Sequence, residues 1–221
     1  MSARRLCLLT AALLLAGLWL GPLPELAARS FAAHMALHVS VVAIAAPLLA
    51  LGLAGSRADP ARHLPALFAP APAAALDFVL VWAWHAPALH QAARHTAGGF
   101  VLEQASYLGA GLLVWLAACG GAAEQRRPRA AAGAAGLLLM AMHMTLLGVL
   151  LALASRPLYG HHGAAPWALS SLQDQQLGGV IMLTVGGLAY LIGGLALLAG
   201  LLRAERTPVL AAATAGEGRH G

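Results

Sequence analysis

An all-α, polytopic membrane bundle of about six transmembrane helices, with both termini cytoplasmic, is the fold this sequence predicts. Three observations carry the expectation. The 221 residues are 60% hydrophobic and 10% charged, with a mean hydropathy of +0.77. Charges this sparse do not cover the surface of a soluble domain. Six apolar stretches approach or exceed the roughly 20 residues that span a bilayer. The arginines cluster in alternate loops, as they do when charge sets orientation.

The spans are expected at about 6–23, 31–54, 74–92, 100–119, 131–154 and 177–202. The first follows a basic MSARR start and resembles a signal peptide, but no small-x-small cleavage site follows, so it is read as a retained helix. Pro87 is expected to kink or end the third span beside His85. In the last span, Gly178-Gly179, Gly186-Gly187 and Gly193-Gly194 recur about every two turns. They make a smooth face for helix packing, which also permits a homo-oligomer. Residues 1–206 read as one transmembrane domain, and 207–221 as a short disordered cytoplasmic tail.

Arginine is the chain's only lysine-or-arginine type. Arg4, Arg5, Arg57, Arg62, Arg126, Arg127, Arg129, Arg203 and Arg206 fall on one side of this topology. Arg29, Arg94 and Arg156 fall on the other. The richer side is expected inside. A net charge of +5 spread over loops speaks for orientation and against nucleic acid. Cys7 and Cys119 form no CxxC pair and read as small buried residues.

With this topology, eight of the ten histidines fall on the outer half, and only His63 and His220 fall inside. His34 and His38 share one helix face four residues apart, with Met35 beside them. His85 ends the WH pair of span three, with His90 and His95 after it. Glu103 and Gln104 enter span four. His143 lies among Met140, Met142 and Met144 in span five. His161 and His162 share a loop, and Asp174, Gln175 and Gln176 open span six. Imidazole and thioether together suit copper. Polar groups inside a membrane are costly unless paired or functional. Each also has a plainer reading: His143 as an interhelical hydrogen bonder, Met140 and Met144 as packing, Asp174 and Glu103 as helix caps.

The stretches SFAAHMALHVSVVAIAAPLLALG, VWAWHAPAL, LEQASYLGAGLLVW, RPLY and LQDQQLGGVIM resemble, in order, the CtaG family of multi-span cytochrome c oxidase assembly factors. The resemblance runs over residues 30–187. It implies a multi-pass protein of the bacterial inner membrane that associates with oxidase subunits and supplies copper, with a periplasmic copper donor as a possible partner. It carries over to His34, Met35, His38, Trp84, His85, Pro87, Glu103, Arg156, Pro157, Asp174, Gln175 and Gln176. One departure is Gln104, where the family has a histidine; His90 and His95 are candidates to replace it.

The expected site is therefore periplasm-facing. His34, Met35, His38, His85 and His143 would hold copper. Glu103 and Asp174 would orient the imidazoles, and Gln175 and Gln176 would hydrogen-bond across helices and shape the cavity. Three other readings stay open: a haem-binding electron-transfer protein, a metal-free assembly scaffold, and a copper transporter. The transporter would need polar residues in the inner half, which offers Asp77, read as interfacial. No nucleophile set, phosphate loop, HExxH or Glu-x-x-His pattern supports an enzyme.

Overall fold

Proline and short polar side chains set where the helices begin. In the computed structural model, residues 2–122, 126–160 and 166–217 are described, with side chains in the last helix as far as Ala204. Pro60, Pro70 and Pro87 each open a helix, in the first turn where a missing N–H costs nothing. Ser30, Thr96 and Ser170 each cap a helix by accepting the backbone N–H three residues on.

The helices are α1 (Ala3–Leu20), α2 (Leu23–Arg29), α3 (Phe31–Leu53), α4 (Pro60–His63), α5 (Pro70–Trp84), α6 (Pro87–His95), α7 (Ala97–Cys119), α8 (Arg126–Ala152) and α9, which starts at Ser171 and reaches Glu217. No strand occurs among the described residues. Five helices are long and apolar enough to cross a membrane, or six if α5 and α6 count as one bent span. The chain is thus an all-α membrane bundle.

Two boundaries differ from the sequence reading. The third stretch, read as 74–92, is not a straight span. α5 covers Pro70–Trp84, and α6 leaves it at 76°. Ala86 precedes Pro87 and takes an extended ψ of 128°, which removes it from the helix. At the other end, α9 continues to Glu217, through much of the segment read as disordered. Leu210 and the alanines after it favour helix.

α3 runs through the core and packs against α1, α2, α7 and α9. It contains a π turn over Val41–Ala45, whose cause is local. The N–H of Ala46 bonds back to Val41 O, and the next acceptor, Val42 O, would need a donor from Pro47, which has none. That carbonyl is taken instead by Trp115 Nε1 at 3.2 Å and Tyr190 Oη at 3.4 Å. The turn thereby ties α3 to α7 and α9. α9 has its own π turn, Met182–Gly186, packed near the first.

The glycine face is filled within the chain. A Cβ on Gly179 would sit 2.5 Å from Ala152 N and 2.6 Å from Gly148 O. On Gly178 it would meet Phe31, on Gly187 Thr145, and on Gly193 Trp115. These glycines serve packing against α8, α3 and α7, so the oligomer interface expected of them has no support from this face. At the end opposite the histidines, buried Asp59 accepts from Gly55 N, Ala61 N and Gly121 N at 2.7–2.9 Å. It pins the loop after α3 to the end of α7.

Candidate metal centre

The first turn of α3 carries His34 inward, with α6 and α7 closing over it. His34, His90 and Glu103 are all buried, and each offers a ligand atom within 4.8 Å of the others'. His34 Nε2 stands 3.6 Å from Glu103 Oε1, too far for a hydrogen bond. Both atoms lack any hydrogen-bond partner, as does His90 Nδ1. Buried polar groups are ordinarily satisfied, so three orphans facing one point call for an explanation. The His34 and His90 rings meet edge-on, with centroids 4.6 Å apart. Arg94 Nη1 donates to His90 Nε2 at 3.2 Å, while its Nε and Nη2 donate to Ala28 O and tie α6 to α2.

Gln104 explains how Glu103 is aimed. Its Nε2 donates to Glu103 Oε2 at 3.3 Å, and its Oε1 accepts from Trp19 Nε1 at 3.2 Å. One carboxylate oxygen is held, and the other is left facing His34. Gln104 thus positions the Glu103 carboxylate, and the His90 imidazole lies beside it.

One turn further in, a second group of donors gathers. His85 Nδ1 donates to Val81 O at 2.6 Å. Its neutral ring then presents the lone pair of Nε2, which points at Met35 Sδ from 3.4 Å. Two lone pairs facing each other repel unless a cation lies between them. His38 packs edge-on to His85 with centroids 5.4 Å apart, and neither of its nitrogens has a partner. Its other neighbour is Tyr107, at a centroid distance of 4.0 Å. The bend after α5 is held from outside: Tyr159 Oη donates to His85 O at 2.6 Å. Burial pushes the Tyr159 phenol above its ordinary range, so it stays a donor. Tyr159 also stacks on Phe31, at 4.2 Å between centroids.

His143 lies apart from the outer trio, on α8. Its Nε2 is 3.1 Å from Met140 Sδ and 3.7 Å from Asp77 Oδ2. Asp77, read from sequence as interfacial, is fully buried halfway along α5. The helix begins at Pro70 and not at residue 74, which sets Asp77 about two turns into it.

Asp174 bonds to the start of α3, and Gln175 and Gln176 hydrogen-bond across to α8 and the loop after it. Asp174 accepts from Ser30 Oγ at 2.6 Å, Phe31 N at 2.5 Å and Ala32 N at 3.3 Å. It caps α3 from α9, because the orphan N–H groups of that helix start attract an anion. Gln175 accepts from Leu158 N at 2.6 Å, and Gln176 donates to Ala154 O at 3.2 Å. Both hold the loop after α8. Glu103 is not behind an imidazole but within the trio. His161 and His162 lie outside the described residues. Sequence reasoning gave His90 only as one of two candidates to replace the family histidine, Met140 as packing and Asp77 as interfacial; their signal was that they are polar or sulfur-bearing on an apolar helix, or next to one.

A cavity of about 330 Å³ lies between α2, α6 and α7, and His34 and Glu103 are in its wall beside Glu25 and Arg94. It gives small ions a way to the trio. A larger groove between α8 and α9 is almost wholly apolar, lined by Leu138, Met142 and Leu146 among others.

Fold and site together define a polytopic helical membrane protein with a buried imidazole, carboxylate and thioether cluster at one end. The chain belongs to the cytochrome c oxidase caa3 assembly factor family (Caa3_CtaG), whose sequence model matches residues 1–204. No curated protein and no solved structure matches it. Family membership makes it an assembly factor for cytochrome c oxidase, and so a protein that associates with that enzyme.

Proposed function

We propose that this assembly factor binds copper at the histidine-bearing end of the bundle and aids its delivery to the oxidase. The observation that carries the reading is the trio of His34, His90 and Glu103, with ligand atoms within 4.8 Å and one unpartnered polar atom on each residue. His38, His85 and Met35 extend it by one turn, with a sulfur that favours Cu(I). By the arginine distribution this end faces the periplasm, so an ion is received and released on one side without crossing the lipid. The role is that of a carrier: the chain holds and passes an ion and turns over no substrate.

A haem between these histidines has less support. The His34–His90 and His38–His85 pairs are in edge contact, and a macrocycle would need to lie between the rings.

The test is copper content and an optical spectrum of the detergent-purified protein, loaded under reducing conditions. The His34→Ala/His38→Ala variant is its control. Copper retained by the wild type and reduced by at least one equivalent per chain in the variant supports the reading. Equal copper in both overturns it, and a haem band would move the assignment to electron transfer.

A further inference from the structure

We propose that Asp77, Met140 and His143 form a second, deeper cation site, suited to Cu(I). The proposal rests on the copper reading above for the identity of the ion, but its ligands are separate from the outer trio.

Depth comes first. Asp77 is eight residues before His85 on α5, about 12 Å at the helical rise. His143 is nine residues from the end of α8 at Ala152, about 14 Å. Both lie near the middle of a hydrocarbon layer about 30 Å thick. A carboxylate there is costly unless something cationic accompanies it. Yet neither oxygen of Asp77 has a hydrogen-bond partner, and neither does His143 Nδ1.

The donors present select the ion. His143 Nε2 has Met140 Sδ at 3.1 Å and Asp77 Oδ2 at 3.7 Å. Donors sharing an ion through bonds of about 2.0–2.3 Å stand about this far apart. A thioether favours a soft ion such as Cu(I), and imidazole accepts it. Charge points the same way. One carboxylate and one monovalent cation leave the cluster neutral, whereas a divalent ion would leave a net positive charge in the lipid core. Met140 and His143 are three residues apart on one face of α8, so the helix presents both together. Phe78 covers the His143 ring edge-on at 5.3 Å, shielding the group from lipid.

Along α5 the deep group lies about two turns inward of His85, whose ring meets Met35 of α3. The deep site is a place where an ion can rest out of reach of solvent.

The test is equilibrium titration of the full-length protein in detergent with Cu(I), against a coloured Cu(I)-selective chelator. Wild type is compared with Asp77→Asn, Met140→Leu and a His34→Ala/Glu103→Gln variant. Asp77→Asn and Met140→Leu are each expected to lose one copper equivalent, or to weaken it at least tenfold, while the outer copper stays. The outer variant is expected to do the reverse, so failure of either site is read separately. X-ray absorption of the outer variant should show a sulfur scatterer that Met140→Leu, added to it, removes. The competing account is an ordinary Asp77–His143 ion pair. It predicts unchanged copper in Asp77→Asn and a lower melting temperature, and that result overturns the proposal. A copper-free Asp77→Asn protein at least as stable as the wild type supports it, since the change then removes an uncompensated charge.

Discussion

Glu103 shows how one side chain can be set for its task by its neighbour. Gln104 holds one of its oxygens and leaves the other facing His34. Glu103→Gln keeps the shape and removes the charge, and is expected to weaken copper binding at least tenfold while the fold persists. Competition with a chelator checks this. Gln104→Ala should weaken binding less, because it frees the carboxylate without deleting it. Asp174 belongs to a different category. Three donors of the α3 start depend on it, and Asp174→Ala leaves two buried N–H groups unsatisfied. Each such loss costs roughly 1–3 kcal/mol, so the expected outcome is a lower melting temperature with residual copper binding in the protein that still folds. Asp174 was legible as a helix cap. That Asp174 caps α3 across the bundle, and not its own helix, was not legible, because the two are remote in sequence.

Among elements, the long apolar stretches declared themselves through composition alone, and the break at Pro87 through the proline itself. The site was half legible. His34, Met35 and His38 share one face of α3, and helical spacing brings them together. His90 and Asp77 gain meaning only from where α6 and α5 go after the 76° turn. A local pattern does not encode that direction, and the start of α5 at Pro70 sets Asp77 deeper than a start at residue 74 would. The contact between α8 and α9 carries a prediction of its own. Gly179 and Gly148 meet backbone to backbone, so Gly179→Leu must separate the helices. Overpacking of this kind costs about 1–3 kcal/mol or more. The expected readout is a lower thermal midpoint in detergent, with Gly17→Leu as a control, since nothing stands within 4 Å of a Cβ there.

For the molecule as a whole, orientation and proton competition decide how the site is used. Reporter fusions after Arg206 and within the loop after α8 are expected to place the first in the cytoplasm and the second outside, as the arginine distribution requires. The opposite pattern would put the metal centre on the cytoplasmic side. Copper is expected to be released only when the pH is lowered far enough to protonate these buried imidazoles, because imidazole binds metal only when neutral. Full retention in strong acid, with the fold intact, would argue against imidazole ligation.

The glycine contact between α8 and α9 bears on motion as well as packing. Two helices joined at backbone distance behave as one rigid strut, with no side chains between them to slide or re-pack. His143 and the loop held by Gln175 ride on that strut and keep their places. Movement at this end of the bundle is therefore left to the lighter pieces beside the trio, α2 and α6. These are short, and Arg94 clasps them to each other at the rim like a buckle. Release of that one clasp would loosen the entrance while the strut stayed still.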